Sequence, residues 1–158
     1  MPVISLRYRF RQWFNVPARA AFLWCTDFEP EDGKLFSERT KRSIRRIAKD
    51  ALIMTDTTYP SGRPLRISRL VRLNADQMAW TNTHLDGPYR HSQFWYKIVA
   101  DGPRRSHLEF EGLRLETTKN PLSEKEIRRR ARECQKLDSG EWRRRLAPAL
   151  DNSEQVIR

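Results

Sequence analysis

The sequence is poor in the residues from which metal and covalent chemistry is built. It has two cysteines, Cys25 and Cys134, no C-x-x-C, and three histidines, His84, His91 and His107, that form no H-x-x-x-H or H-x-H pair. Such spacing gives no reason to expect a metal site. Both cysteines sit beside apolar neighbours in segments with helical periodicity, where reduced core thiols of a cytoplasmic protein are expected. Only six glycines occur and none falls in G-x-G-x-x-G, so no glycine-rich loop is expected to cradle a phosphate. No Ser-His-Asp or Cys-His arrangement follows from spacing, and nothing requires a cofactor. Long apolar runs are missing too, since none approaches the roughly 20 residues of a membrane span. Arg7, Arg9 and Arg11 interrupt the first segment, where a secretory signal needs an unbroken apolar stretch. The expected location is the cytoplasm.

What is present suits one domain. The chain of 158 residues is 38% hydrophobic and 10% aromatic, enough for one substantial core and too short for a second. No repeat or linker-like stretch divides it, so residues 1–151 are expected to form a single domain followed by a tail at 152–158. Charged residues reach 32% and the net charge is +11. That excess suits either a solvated basic surface or a partner with phosphates, such as nucleic acid or an anionic membrane. The arginines are spread along the chain rather than gathered in a tail, which favours the solvated surface.

The periodicities predict an α+β fold. Ile4, Leu6, Tyr8 and Phe10 alternate with Ser5, Arg7, Arg9 and Arg11, the pattern of a half-buried strand. Pro17 then starts a short helix in which Ala20, Leu23, Trp24 and Phe28 share a face, ending near Phe28. Residues 29–40 are expected to connect, with one helical turn at most. From 42 to 119 come six further strands, punctuated by Pro60-Ser61-Gly62, Asn74-Ala75-Asp76, Asp86-Gly87-Pro88 and Asp101-Gly102-Pro103. Breaks at that spacing indicate successive antiparallel hairpins. Ser123 and Glu126 form a capping box, flanked by Leu122 and Ile127 at the positions of a hydrophobic staple. The helix they open has apolar residues at Ile127, Ala131, Cys134, Trp142, Leu146 and Leu150. It is expected to run up to about 28 residues, or roughly 40 Å. Asp138-Ser139-Gly140 is a candidate kink or restart, and Pro148 a disturbance of the last turns.

Loop lengths set the faces of the hairpins, because a one-residue slip turns a strand inside out. A four-residue loop at 60–63 places Asp56 opposite Ile67 and Met54 opposite Arg69. A three-residue loop at 74–76 places Val71, Arg69 and Ile67 opposite Ala79, Thr81 and Thr83. A two-residue turn at Asp86-Gly87 sets Ala79 opposite Phe94, and a five-residue loop at 101–105 pairs Tyr96 with Phe110 and Lys97 with Glu109. One face then collects Leu52, Met54, Ile67, Val71, Phe94, Tyr96, Ile98, Leu108 and Phe110, with Thr81, Thr83, Ser92 and Gly112 as small members. Met78, Trp80, Trp95, His84 and His91 fall outside. Asp56 and Arg69 sit diagonally across their hairpin on the apolar face, where an unpaired charge is very costly, so each is expected to neutralise the other.

This order resembles the START-like superfamily, which includes Bet v 1-type allergens, polyketide cyclases and lipid-transfer domains. The likeness runs from about Leu6 to Leu150. It is carried by Val16-Pro17-Ala18 ahead of the Phe22–Phe28 helix with Asp27, by Arg42 opening the second strand, by Arg69-Leu70-Val71-Arg72-Leu73 before a turn, and by Trp142-x-x-x-Leu146-x-x-x-Leu150. It implies a helix-grip fold, in which a seven-stranded curved antiparallel sheet wraps around the long C-terminal helix, with short helices between strands 1 and 2. It also implies a cavity for a hydrophobic or amphipathic ligand. The face analysis lines that cavity with Asp56, Arg69, Thr81, Phe94, Tyr96 and Phe110. The leading expectation is a carrier or sensor of a lipophilic small molecule. A cyclase or dehydratase using Arg69 or Tyr96, and a basic module binding nucleic acid or an anionic membrane, are the alternatives.

Overall fold

A computed structural model describes residues 1–35, 37 and 39–153; the end of the expected tail, residues 154–158, lies outside them. Strand β1 (Val3–Phe14) buries Ile4, Leu6 and Tyr8 on one face and exposes Arg7, Arg9 and Arg11 on the other, as its alternation requires. Helix α1 (Ala18–Cys25) follows directly after Pro17. It ends before the expected Phe28. Thr26 Oγ1 donates back to the Phe22 carbonyl at 2.7 Å, and Phe28 has φ of 47°, a left-handed conformation that no right-handed helix continues through. A 3₁₀ turn (Pro30–Leu35) leads into the meander β2 (Lys41–Ala48), β3 (Ala51–Thr58), β4 (Leu65–Asn74), β5 (Ala79–His84), β6 (Gln93–Ala100) and β7 (Ser106–Thr117).

The seven strands form one antiparallel sheet in the order β1-β7-β6-β5-β4-β3-β2. Helix α2 (Glu124–Glu141) passes through a π turn (Trp142–Leu146) into α3 (Ala147–Asp151) and lies in the grip of the curved sheet. Both capping-box bonds form, with the Glu126 N–H donating to Ser123 Oγ at 3.2 Å and the Ser123 N–H to Glu126 Oε2 at 3.0 Å. Ser123→Ala is expected to cost about 1 kcal/mol, read as a lower urea midpoint at unchanged slope. Asp138-Ser139-Gly140 does not interrupt the helix. The irregularity falls instead two to six residues before Pro148, where the Ala147 N–H reaches the Trp142 carbonyl. Proline has no N–H and its ring crowds the carbonyl four residues back, so a wider turn relieves it.

Two hairpins depart from the expected register. Beyond Asn74 the chain makes a 3₁₀ turn (Ala75–Gln77) and a left-handed residue, Met78 (φ 49°), so the loop holds four residues rather than three. Asn74 Oδ1 stabilises it by accepting from the Gln77 N–H at 3.4 Å. The pairs become Arg69 with His84, Val71 with Asn82 and Leu73 with Trp80, an odd displacement that turns β5 over. Trp80, Asn82 and His84 therefore face the helix, and Thr81 and Thr83 face outward. Between β5 and β6, residues 85–92 form a long loop in place of a two-residue turn, and Thr81 pairs with Trp95. This second displacement is also odd and cancels the first for β6. Phe94, Tyr96 and Ile98 are inside as expected, and Lys97 stands opposite Glu109.

Candidate functional site

The curved sheet and the C-terminal helix border a half-open cavity of about 370 Å³. At a water's share of roughly 30 Å³, that is room for about a dozen water-sized groups. Its apolar wall comes from β6 and β7. Phe110 is 4% exposed and meets four rings, those of Tyr8, Phe10, Phe94 and Tyr96, at centroid distances of 4.5–5.9 Å. Tyr96 stacks on Trp80 at 4.8 Å with the planes 3° apart. Phe94 and Tyr96 are only half-buried, so part of each ring remains uncovered on the cavity side. A smaller void of about 110 Å³ beside Trp24, Phe28 and Trp142 adjoins it beneath α1.

The polar end is built by β2, β3, β4 and β5. Asp56 Oδ2 accepts from Arg69 Nη1 at 2.7 Å, and both its oxygens accept from Arg42, Nε at 2.7 Å and Nη2 at 2.9 Å. The Asp56 and Arg42 side chains are 7% and 6% exposed. Burial alone raises the Asp56 carboxyl, but the hydrogen bonds and charge of Arg42, joined by Arg69, more than reverse this and hold it below the ordinary carboxylate range. Arg69 Nε donates to His84 Nε2 at 3.3 Å, so the neutral ring carries its proton on Nδ1. Burial, then the charges of Arg69 and Arg114, lower the His84 pKa to about 4. His84 Nδ1 and Asn82 Oδ1 are buried without hydrogen-bond partners, and such atoms are costly to leave unsatisfied.

The helix supplies the opposite wall. Asp138, Glu141 and Trp142 face the cavity, and the Tyr8 hydroxyl donates to Asp138 Oδ2. Burial pushes the Asp138 carboxyl above its usual range despite the Tyr8 hydrogen bond and the Arg114 charge. Burial, followed by the Asp138 charge, also raises the Tyr8 and Tyr96 hydroxyls. Among the described residues no group of three or more His, Cys, Asp or Glu side chains is placed to hold a metal ion.

Of the residues expected from sequence, Asp56, Arg69, Phe94, Tyr96 and Phe110 come together in this cavity. Thr81 does not, because the β4–β5 loop is one residue longer than its turn signal indicates and β5 is reversed. The same reversal brings His84, which was expected outside, into the cavity together with Asn82, and turns Trp80, also expected outside, inward against Tyr96 and the smaller void. Arg42 is directly opposite Asp56, a pairing that the β2–β3 hairpin offered. Asp138 continues the helix stripe Ala131, Cys134, Trp142 at intervals of three and four, so periodicity could have found it.

Beside Asp32, which lines the smaller void, the Asp27 carboxyl is raised to a pKa of about 7 by burial and by that neighbour. An unfolded aspartate titrates near 4. The folded chain thus binds an extra proton between about pH 4 and pH 7, and stability falls as pH rises through that window. Asp27→Asn is expected to abolish this slope, so that its urea midpoint gains on the parent's at pH 8 relative to pH 5.

The arrangement of strands and helix matches solved structures closely enough to decide the architecture. The Zhui aromatase/cyclase from a Streptomyces species superposes with a TM-score of 0.73 at 13% identity, over 98% of this chain and 97% of that one. The protein has the helix-grip fold. Norcoclaurine synthase from Thalictrum flavum gives a TM-score of 0.69 at 9% identity, over 96% and 94% of the two chains. A START superfamily protein from Mycobacterium smegmatis gives 0.63 at 14% identity, over 86% and 93%. This is the START-like and Bet v 1-like architecture that the sequence resembled. No protein-family model matches the chain, and no curated protein is significantly similar to it in sequence. The helix-grip protein contains no helix among the described residues that is long and apolar enough to cross a membrane.

Proposed function

We propose that the protein holds an amphipathic small molecule in the cavity, with its ring-sized apolar body against Phe94, Tyr96 and Phe110 and an oxyanion-bearing head at Arg69. One observation carries this reading: a guanidinium fixed by Asp56 and His84 stands at the end of an aromatic-walled space. Two guanidiniums share one carboxylate there and His84 is neutral at physiological pH, so the polar end is net positive. Guanidinium geometry favours carboxylate, phosphate or enolate oxygens. The role is that of a carrier or sensor. Two free thiols support a cytoplasmic setting, and one helix gripped by one sheet supports a single domain through residue 151.

A second reading, catalysis of a dehydration or cyclisation, is favoured by Asp138. A carboxyl raised by burial on the wall facing neutral His84 is a candidate acid–base group. Native mass spectrometry of protein from its own host, followed by denaturation, tests both readings. A stoichiometric acidic, lipophilic molecule is expected. Arg69→Met should weaken its binding by about 10- to 100-fold, the equivalent of one charged hydrogen bond of roughly 1.5–3 kcal/mol. A carrier releases the same molecule from Asp138→Asn, whereas a dehydratase releases one heavier by a water. Protein that emerges empty and binds no hydrophobic dye overturns the proposal.

A further inference from the structure

The cavity leaves most of the net charge of +11 unexplained, and the two sets of surface arginines differ in their surroundings. Those on the long helix are largely paired. Arg128 lies 3.7 Å from Glu124, Arg129 3.8 Å from Glu133, Arg145 3.6 Å from Glu141 and Arg130 3.1 Å from Glu116. On the outer face of β2, β3 and β4, Lys41, Arg45, Arg66 and Arg72 are all exposed and form no ion pair with another described residue. The other strand positions of that face, through β5, carry no Asp or Glu. They carry hydroxyls at Ser43, Thr55, Thr57, Ser68, Thr81 and Thr83, interspersed with Ala51, Ile53, Leu70, Asn74 and Ala79. The carboxylates of Asp50, Asp76 and Asp86 stand in the turns at its margins, and Asp86 accepts from the Ser68 N–H at 2.7 Å.

An aromatic platform adjoins this field. Arg72, Thr81 and Trp95 are consecutive cross-strand neighbours, with Trp95 37% exposed. Beside the indole runs an open groove of about 520 Å³ bordered by Arg9, Arg11 and Lys97 and by two carboxylates, Glu109 and Glu111, the latter directly opposite Trp95. Arginine, lysine and hydroxyl side chains are the usual partners of phosphate oxygens, and an exposed indole stacks on any base.

We infer that the outer face of β2–β6 binds single-stranded nucleic acid, its phosphates on Lys41, Arg45, Arg66 and Arg72 and a base on Trp95. Arg66 and Arg72 are about 20 Å apart along β4 at ~3.3 Å per residue, a span suited to the short end of the roughly 4–16 nucleotides held by sheet-based modules. The outward curve of the sheet selects the occupant. A duplex is a stiff convex rod that meets such a surface along a line, whereas a single strand bends over it. A bilayer needs a contiguous apolar face to insert. Here Ala51, Ile53, Leu70 and Ala79 are interspersed with threonine and serine among the cations, the exposed Ile47 stands alone on edge strand β2, and the exposed Leu23 and Leu137 lie on helices elsewhere. The inference does not depend on what fills the cavity.

Fluorescence anisotropy of a labelled oligouridylate of about 20 nucleotides provides the test, with the purified full chain titrated at several salt concentrations. With roughly four phosphates neutralised at about 0.7 per contact, affinity should fall about 50-fold between 50 and 200 mM salt. The triple variant Arg45→Gln/Arg66→Gln/Arg72→Gln should reduce that dependence to about 3-fold. The charge-matched triple Arg128→Gln/Arg129→Gln/Arg132→Gln should behave as the parent. Trp95→Ala should weaken binding by a similar factor at every salt concentration. Equal losses in the two triples overturn the proposal, because only net charge would then be acting. So does retention on phosphatidylserine vesicles without binding of the oligonucleotide, or equal affinity for a hairpin duplex.

Discussion

Asp56→Ala is expected to destabilise the protein by about 3–5 kcal/mol, the range for removing one member of a buried ion pair. The carboxylate serves two guanidiniums at once, with both its oxygens taken by Arg42 and Oδ2 shared with Arg69. Its loss leaves two cations facing one another in a site where Arg42 is 6% exposed and Arg69 19%. Urea denaturation at pH 7 measures the effect. Because the folded pKa of Asp56 lies below its unfolded value, the stabilisation is complete above the ordinary carboxylate range. It is lost as pH falls through the folded value. The gap between parent and variant should therefore narrow in acid. Arg42→Met/Asp56→Leu/Arg69→Met removes all three charges together and should recover most of the stability, since apolar replacements of buried ion networks are often neutral or better. If that triple variant is also stable but empty, the network serves the ligand rather than the fold. If Asp56→Ala costs less than 1 kcal/mol, the buried network is not what the distances imply.

Phe110→Ala should be comparably damaging, at about 3–5 kcal/mol. Phe110, on β7, is the ring on which the β1 and β6 aromatics converge, and neighbours held on two flanking strands cannot collapse into the space it leaves. The residual void joins the cavity, so folded variant should admit larger hydrophobic dyes than the parent does. Phe110→Leu keeps most of the volume and should lose well under half as much. Thermal unfolding and dye titration together separate the two effects. An unchanged melting temperature in Phe110→Ala would show that the aromatic wall is already loose.

The architecture was readable because its signals are local and mutually consistent: the alternation in β1, the regularly spaced turns and the capping box at Ser123. The β3–β4 and β6–β7 registers followed from loop lengths alone, and with them the Asp56–Arg69 contact and the ring cluster around Phe110. The β4–β5 register did not, because Asn74-Ala75-Asp76 reads as a three-residue turn while Met78 adopts a left-handed conformation that its side chain disfavours and no motif announces. That single residue decides whether Thr81 or His84 faces the cavity. Asp138 was missed for a different reason. A charged residue within an Asp-Ser-Gly sequence looks like a helix breaker, and only the partnership with Tyr8, 130 positions away, accounts for a carboxyl on the buried stripe.

The two odd displacements around β5 bear on descent. A strand shows the same face to its neighbour only if the loop between them changes by an even number of residues. An odd insertion or deletion in the four-residue loop before β5 would turn Asn82 and His84 out of the cavity and Trp80 off the inner face. A compensating odd change in the 85–92 loop would restore β6 but leave β5 inverted. Lineages that keep this pocket are thus expected to vary each of these loops in steps of two, or to absorb the odd residue in a bulge. Single-residue length differences there would mark the branches in which the pocket acquired a different polar lining.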